Sequence, residues 1–283
     1  MSVAEIQGLK IYYELIGRGE KLIVLTPGGR ASKDVAGLRD LAMSLSRQGF
    51  SVLIWDRPNC GESDLCFLGE SESELCVDVL YQLLKSIGYR SAFLVGASGG
   101  ARMSLQAAIK YPCLFEGLFL WWITGRACGL SALIHYGYGE SALAAKLGGM
   151  LAVSKVSAWQ EQLERNPRSR DVLIGQSEDD FYNTMQKWGE SCLPVGESPM
   201  LGISLAQLTK VNVPTTIVRN GIGDPYHPKE ISLQLGNALP DSKIIEPPWG
   251  EAEFCERVLN KSQGGLFVNA PLVADVVSQA FLR

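Results

Sequence analysis

Ser98 is the residue of this sequence whose surroundings most directly suggest chemistry. It lies at the centre of Gly96-Ala97-Ser98-Gly99-Gly100, a G-x-S-x-G pattern that follows an apolar segment at 92–95 and leads into a segment with helical character. A nucleophile elbow requires this context, because it is a sharp strand-to-helix turn that exposes the serine hydroxyl. The small flanking residues suit a strained serine backbone, and the helix dipole favours developing negative charge at the hydroxyl. The pattern therefore predicts Ser98 as a catalytic nucleophile.

A second turn of small residues could supply hydrogen-bond donors to the same reaction. Pro27-Gly28-Gly29-Arg30 follows the apolar segment 21–25. An oxyanion hole needs two backbone N–H groups that converge on one oxygen atom, and small residues let the backbone come close. We predict that the N–H groups of Gly29 and Gly99 form this hole, with the Arg30 N–H as the alternative to that of Gly29. The Arg30 side chain is also a candidate to bind a substrate carboxylate at the mouth of the pocket.

The elements that position these residues alternate between apolar segments and helical stretches. Apolar runs without polar alternation indicate strands buried on both faces, and their alternation with helices indicates parallel pairing. The sequence therefore predicts an α/β fold with an open, doubly wound, mostly parallel sheet whose site lies at the carboxyl ends of the strands. The predicted strands are 21–25, 51–55, 92–95, 117–123, 213–218 and 243–245, and the predicted helices include 38–48, 71–86, 101–110 and 270–282.

The alternation stops after the strand at 117–123 and resumes about 85 residues later. We interpret residues 126–210 as a helical cap inserted after the sixth strand, and residues 1–125 and 211–283 as the core. The inner face of a cap must be apolar if it encloses a pocket that excludes water. Trp159 and Trp188 in the insert, together with Trp122, are therefore candidates to bind substrate. The same pattern also suits residues that form the insert's own core.

Composition excludes several classes of function. The chain has 283 residues, with 26 Lys and Arg, 30 Asp and Glu and a formal net charge of −4. Basic residues are scattered, so we expect neither a nucleic-acid nor a membrane partner. The N-terminus has no secretory signal pattern and no apolar run is long enough to span a membrane, which predicts a cytoplasmic protein. Seven widely spaced cysteines and only two histidines predict no metal site, and no cofactor is expected.

These motifs together resemble the α/β-hydrolase superfamily, along nearly the whole chain. The segment Asp56-Arg57-Pro58-Asn59-Cys60-Gly61-Glu62-Ser63 is similar to the D-x-x-G-x-G-x-S segment of its esterases, C–C hydrolases and haloperoxidase-like members, with Asn59 in place of the first glycine. The resemblance implies the chain order nucleophile, acid, histidine, and places the acid at Asp224. It also implies a histidine after the last strand in a Gly-His pair, yet Gly250 is followed by Glu251.

The absent Gly-His pair leaves the general base open between three alternatives. His227, three residues beyond Asp224 in the same loop, could supply the imidazole. Glu251 could act as acid and base if burial raised its basicity, since an ordinary carboxylate is a poor base toward a hydroxyl. The third alternative is that Ser98 is not activated. His135, in the predicted cap, could also point down at Ser98.

The sequence thus predicts a serine hydrolase that acts on a small to medium, largely apolar ester, thioester or lactone through an acyl-enzyme at Ser98. Its partner would be a small-molecule substrate, and a homodimer is compatible with the sequence. The alternative is a hydrolase-fold protein without serine hydrolysis. Such a protein would be a ligand-binding module or a cofactor-free enzyme of the lyase, oxygenase or cyclase type.

Overall fold

A single eight-stranded sheet forms the centre of the molecule in the computed structural model, which describes residues 1–259 and 267–282. The strands are β1 (Ser2–Ile6), β2 (Leu9–Ile16), β3 (Leu22–Thr26), β4 (Ser51–Trp55), β5 (Ala92–Ala97), β6 (Phe115–Trp121), β7 (Thr215–Val218) and β8 (Ser242–Ile245). Their order across the sheet is β1-β2-β4-β3-β5-β6-β7-β8. From β4 to β8 every neighbouring pair is parallel. This confirms the doubly wound, mostly parallel sheet predicted from the sequence.

The two antiparallel strands at the N-terminus were not among the predicted strands. β1 pairs with β2, and β2 pairs with β4, both antiparallel. Gln7 and Gly8 form the turn between β1 and β2, both with positive φ, as a tight hairpin requires. β1 is largely exposed and β2 is largely half-buried, so they lack the continuous apolar run that revealed the six buried strands.

Helices cover both faces of the sheet and enclose two apolar cores. The helices Glu72–Ser86 and Gly99–Lys110 pack on one face with the helix Lys229–Ala238, whereas Leu38–Arg47 and Ala274–Phe281 pack on the other. The predicted helix at 270–282 is a 3₁₀ turn at Ala270–Val273, with Pro271 in its first turn, followed by the α-helix Ala274–Phe281. The helices are α1 (Leu38–Arg47), α2 (Glu72–Ser86), α3 (Gly99–Lys110), α4 (Arg126–Ile134), α5 (Glu140–Val153), α6 (Ser157–Arg165), α7 (Ser169–Ile174), α8 (Glu178–Glu190), α9 (Leu205–Leu208), α10 (Lys229–Ala238), α11 (Glu253–Leu259) and α12 (Ala274–Phe281).

Residues 126–210, called the insert below, carry helices α4 to α9 and a π-helical turn at His135–Gly139 between β6 and β7. The insert has its own apolar core, which includes Trp159, Phe181 and Trp188. Phe67, from the loop before α2, packs edge-on against Trp159 and Phe181. The insert is therefore fastened to the sheet domain through this loop. Within the described part of the chain, no helix is both long and apolar enough to cross a membrane.

The segment that resembles D-x-x-G-x-G-x-S forms a buried turn. Asn59 has a φ of 67°, a left-handed conformation that asparagine tolerates better than most residues other than glycine. This explains why it can replace the glycine. Asp56 accepts hydrogen bonds from the backbone N–H groups of Lys33 (2.6 Å) and Glu62 (3.0 Å), which ties this turn to the loop after β3.

The order of strands decides which loops meet. β3, β5, β6 and β7 are consecutive neighbours in the sheet, and all four are parallel. Their carboxyl ends therefore lie along one edge, which is where open α/β sheets bind ligands. The loops that follow these strands carry Gly29, Ser98, Thr124 and His227.

Gly100→Ala tests how tightly the turn after β5 is packed. A Cβ atom on Gly100 would overlap the backbone carbonyl oxygen of Thr26 and come within 2.9 Å of that of Pro27. Backbone cannot move aside cheaply, so we expect the free energy of unfolding to fall by about 1–3 kcal/mol or more. Denaturant unfolding followed by circular dichroism measures it. Gly137→Ala is the matched control, because a Cβ there meets nothing within 4 Å; an equal loss in both variants would contradict the packing argument.

Candidate active site

Ser98 lies in a strained turn between β5 and α3. Its φ is 53° and its ψ is −117°, a conformation that non-glycine residues rarely adopt. The turn is held by the Ser98 N–H, which donates to the carbonyl of Trp121 (3.0 Å), and by close packing of Gly28 against the Ser98 side chain. A Cβ on Gly28 would come within 2.7 Å of the Ser98 Cβ. The geometry is that of the elbow expected from G-x-S-x-G.

Ser98, His227 and Asp224 form a continuous chain of hydrogen bonds. The Ser98 Oγ is 3.1 Å from His227 Nε2, and His227 Nδ1 is 2.8 Å from Asp224 Oδ2. An ionised carboxylate only accepts hydrogen bonds, so the proton between His227 and Asp224 belongs to Nδ1. Nε2 is then free to accept the Ser98 proton. This is the arrangement of nucleophile, base and orienting acid that hydroxyl activation needs.

The Asp224 carboxylate is fixed in its ionised form. Oδ1 accepts hydrogen bonds from the backbone N–H groups of Tyr226 (2.9 Å) and His227 (3.2 Å). Burial by itself would raise the pKa of the Asp224 carboxyl, but the hydrogen bonds and charge of His227, together with these backbone bonds, outweigh burial and lower it. The group therefore stays charged and holds the imidazole.

The loop that carries Asp224 and His227 is anchored to the segment that follows β6. The Asn220 side chain accepts a hydrogen bond from the Ile123 N–H (3.1 Å) and donates to the carbonyls of Ile123 (3.1 Å) and Pro228 (3.2 Å). The Trp122 ring lies nearly parallel to the His227 ring, with centroids 6.1 Å apart. These contacts limit how far His227 can move relative to Ser98.

Gly29 and Gly99, whose N–H groups are predicted to form the oxyanion hole, lie side by side. The Gly29 nitrogen lies 3.5 Å from the position that a Cβ on Gly99 would take, so the two glycines are in contact. Neither N–H has a hydrogen-bond partner among the described residues. Arg57 fixes the loop, since its Nη2 donates to the carbonyls of Gly29 (2.8 Å) and Ala31 (3.2 Å).

Thr124 makes a contact with the nucleophile that the sequence reasoning missed. Its Oγ1 lies 3.1 Å from the Ser98 Oγ. Because the single Ser98 proton is directed to His227, the Thr124 hydroxyl must be the donor of this hydrogen bond. A usable signal was present in the sequence: Thr124 follows the strand beside β5, so it had to lie at the same edge as Ser98.

A cavity of about 380 Å³ adjoins the two glycines. Core residues and residues of the insert both line it, and its wall mixes apolar side chains with charged ones. Arg57, which sequence reasoning also missed, is among them. The lining includes Gly29, Arg30, Arg57, Pro58, Cys60, Glu72, Ser73, Cys76, Gly99, Arg102, Met103, Ala132, Leu133, Tyr136, Gly137, Tyr138, Ser157 and Ala158.

Comparison with known proteins finds hydrolases that are similar to this chain in sequence or in fold. The human serine hydrolase BPHL is 25% identical to the chain over 227 residues, which cover 79% of this chain and 70% of that protein. A 2-hydroxy-6-oxononadienedioate/2-hydroxy-6-oxononatrienedioate hydrolase of Paraburkholderia phymatum is 30% identical over 37% of this chain and 36% of its own length. The enol-lactonase of Burkholderia xenovorans LB400 superposes with a TM-score of 0.62 at 15% identity, with both chains fully covered.

The chain has the α/β-hydrolase fold, and its similarity to curated hydrolases supports membership of the α/β-hydrolase superfamily. The likeness to solved structures supports this at the level of the fold, and the curated relatives are hydrolases. No protein-family model matches the chain.

The position of the histidine distinguishes this α/β hydrolase from the pattern predicted by resemblance. The loop after β8 carries Glu251 where the Gly-His histidine was expected, and the alternative that Glu251 is the base is wrong. Arg219 forms ion pairs with Glu251 and with Glu246. The hydrogen bond from Arg219 lowers the pKa of the Glu251 carboxyl, and the Glu251 side chain is 44% exposed. A stabilised, exposed carboxylate is a weak base toward a hydroxyl.

His135 is also remote from the nucleophile's hydrogen bonds. It is an exposed residue at the start of the π-helical turn, and its ring packs edge-on against Tyr136. The structure therefore brings one of the two histidines, His227, to Ser98.

The tryptophans predicted to bind substrate have other positions. Trp159 and Trp188 are both 0% exposed and belong to the insert's own core, where Trp159 Nε1 donates to Ser141 and Trp188 Nε1 to the Gly69 carbonyl. Trp122 is buried against His227 and Phe267 rather than against the cavity. An apolar face was expected toward the pocket, but large aromatic rings bury more surface between helices.

Arg30 does line the cavity, but its charge is already paired. Its Nη1 donates to Glu72 at 2.7 Å, its Nη2 donates to the Gly137 carbonyl at 3.2 Å, and its guanidinium lies 4.1 Å from the Trp159 ring centre. Arg30 thus links the loop after β3 to α2 and the insert. Within residues 1–259 and 267–282, no three His, Cys, Asp or Glu side chains are grouped so that they could hold a metal ion.

Labelling of Ser98 by a fluorophosphonate tests which histidine activates it. We expect His227→Gln to slow labelling by about 10³-fold, because the base is lost. His135→Gln is the matched control and should label at the rate of the unmodified protein. Intact mass over time, with mapping of the modified peptide, measures both rates. Equal rates in the two variants would show that His227 does not activate the serine.

Proposed function

We propose that this α/β hydrolase is a serine hydrolase that cleaves small to medium, largely apolar esters, thioesters or lactones through an acyl-enzyme at Ser98. One observation carries the proposal. The Ser98 Oγ, both ring nitrogens of His227 and the Asp224 carboxylate are joined by hydrogen bonds of 3.1 and 2.8 Å. The curated relatives named as hydrolases support the same class of reaction.

In the first step, the Ser98 oxygen attacks the substrate carbonyl carbon and its proton passes to His227 Nε2. The Asp224 carboxylate stabilises the positive charge that forms on the imidazole. The carbonyl oxygen becomes an oxyanion, which accepts hydrogen bonds from the N–H groups of Gly29 and Gly99. His227 then returns the proton to the leaving alcohol or thiol, and the acyl group stays on Ser98.

In the second step, water takes the place of the serine hydroxyl. His227 Nε2 accepts a proton from the water as its oxygen attacks the acyl carbon, and the same N–H groups hold the second oxyanion. Collapse of this intermediate breaks the bond to the Ser98 oxygen, which recovers a proton from His227. The products are a carboxylic acid and the free enzyme.

The insert acts as a cap in this proposal. Ala132 and Leu133 of α4 and Ala158 of α6 line the cavity together with Pro58 and Met103 of the core. These apolar side chains suit an acyl chain.

Ser98→Ala should abolish hydrolysis of 4-nitrophenyl butanoate, because no other hydroxyl is bonded to His227 Nε2 among the described residues. His227→Ala should lower kcat/KM by about 10³-fold or more. Release of 4-nitrophenol measures both, with circular dichroism to confirm folding. Glu251→Gln is the control and should stay within about 2-fold of the unmodified enzyme, because glutamine keeps the shape of the side chain and Glu246 still pairs with Arg219. Full activity in Ser98→Ala would refute the proposal.

Thr124 has a positioning role in this proposal. Its hydroxyl donates to the Ser98 oxygen and holds that atom toward His227. Thr124→Val removes the donor but keeps the shape, so we expect kcat/KM to fall by about 2- to 10-fold, the effect of one neutral hydrogen bond.

Thr124→Ser keeps the hydroxyl and should restore the rate. Steady-state kinetics on the same ester, with the pH dependence of kcat/KM, separate this role from a packing effect. Equal losses in the valine and serine variants would show that the methyl group, not the hydroxyl, matters.

A further inference from the structure

Three arginine side chains line one wall of the cavity beside the glycine N–H groups. They are Arg30, Arg57 and Arg102, and Glu72 is the only acidic residue among the described residues that line this cavity. Three positive charges against one negative charge leave a surplus of two. Arginine keeps its charge in any protein environment. The cavity wall therefore carries net positive charge in a chain whose overall charge is −4.

The two uncompensated positive charges lie on Arg57 and Arg102. Arg30 is neutralised by its ion pair with Glu72, whereas no described carboxylate pairs with the other two. Both are buried, with exposures of 7% and 5%. Nη2 of Arg57 donates hydrogen bonds to two backbone carbonyls, and Arg102 donates to Ser73 Oγ (2.7 Å) and Cys192 Sγ (3.0 Å).

Both guanidinium groups also retain unused donors. Nε of Arg57 and Nε of Arg102, like Nε of Arg30, are enclosed by the protein and without a hydrogen-bond partner among the described residues, whereas Nη1 of Arg57 has no partner there and is not among the enclosed atoms. Burial of a charged group is costly unless an opposite charge and hydrogen-bond acceptors compensate it. An anion in the cavity would supply the opposite charge to both guanidinium groups and an acceptor for Nη1 of Arg57.

We propose that Arg57 and Arg102 form a subsite for a carboxylate on the acyl part of the substrate. This rests on the proposed function, because the acyl part is the portion that remains bound through both steps. A guanidinium binds a carboxylate with directional, charge-assisted hydrogen bonds, as Arg30 binds Glu72 in the same cavity. The substrates would be monoesters or monothioesters of short dicarboxylic acids.

The subsite and the oxyanion hole are close together. Arg57 Nη2 is 2.8 Å from the carbonyl oxygen of Gly29, and the N–H of this same residue is the proposed oxyanion donor. A substrate that reaches both must carry its carboxylate only a few bonds from the ester carbonyl. We therefore choose glutarate as the probe, because only three methylene groups separate its two carboxyl groups.

A matched pair of esters tests the subsite. 4-Nitrophenyl hydrogen glutarate carries a free carboxylate, and methyl 4-nitrophenyl glutarate has the same chain with that carboxylate methylated. We expect the enzyme to prefer the anionic ester by about 10- to 100-fold in kcat/KM, the effect of charge-assisted hydrogen bonds. Arg57→Gln and Arg102→Gln should each reduce this preference by at least 5-fold, whereas Arg47→Gln, an exposed arginine on α1, should leave it unchanged.

The ratio of the two esters isolates the subsite from the oxyanion hole. Loss of Arg57 also frees the Gly29 carbonyl, which slows both esters alike and leaves their ratio unaffected. A wild-type enzyme without preference for the anionic ester, or arginine variants that keep the full preference, would overturn the subsite while hydrolysis of the neutral ester upheld the serine mechanism.

Binding of glutarate to the Ser98→Ala protein gives a second readout that needs no turnover. Calorimetry should detect glutarate binding that weakens by at least 5-fold when Arg57→Lys or Arg102→Lys is added, since lysine keeps the charge and hence the fold but not the planar donor geometry. Binding without hydrolysis in the native enzyme would uphold the subsite and refute the proposed function. No glutarate binding, or inorganic phosphate bound as tightly as glutarate, would overturn the carboxylate assignment.

Discussion

The hydrogen bond between Asp224 and His227 is the interaction on which the rest of the site depends. The two residues are three positions apart in one loop, so the acid and the imidazole keep their relative geometry whatever the rest of the fold does. The remaining problem is to place this loop against Ser98 to within hydrogen-bond distance. Asn220 does so by bonding to both the N–H and the carbonyl of Ile123, two residues after the end of the strand beside β5. The parallel pairing of β5, β6 and β7 therefore determines the distance between His227 and Ser98 as well as the shape of the sheet.

A second network holds the other half of the site. Asn59 donates to Glu72 (3.0 Å), Glu72 accepts from Arg30, and Arg30 donates to the Gly137 carbonyl in the insert. The loop after β3, the turn after β4, helix α2 and the insert are thus connected through buried and half-buried polar groups. Partly satisfied buried networks are costly, so any change in one member is felt by the others. The proposed oxyanion loop is therefore coupled to the position of the insert above it.

Local motifs in the sequence were enough to predict the buried strands, the turn at Ser98 and the contact between Gly29 and Gly99. Each depends on residue types within a few positions, which the sequence displays directly. His227 could be proposed because it follows Asp224, but its distance to Ser98 depends on strand order and on Asn220. The surroundings of Trp159 and Trp188 were not predictable, since a helical pattern shows that one face is buried without showing against what. The same holds for Arg57, whose neighbours come from a different loop.

The ion pairs of Arg219 with Glu246 and Glu251 occupy the loop that in the expected pattern would carry the histidine. All proposed reacting groups consequently lie between residues 29 and 227. The described residues after β8 support them indirectly, as Phe267 does by packing against Trp122 and as the Glu251 carbonyl does by accepting a hydrogen bond from the Ile222 N–H. A change after β8 should therefore alter the reaction through the position of the loop that carries Asp224 and His227, and not through the loss of a reacting group.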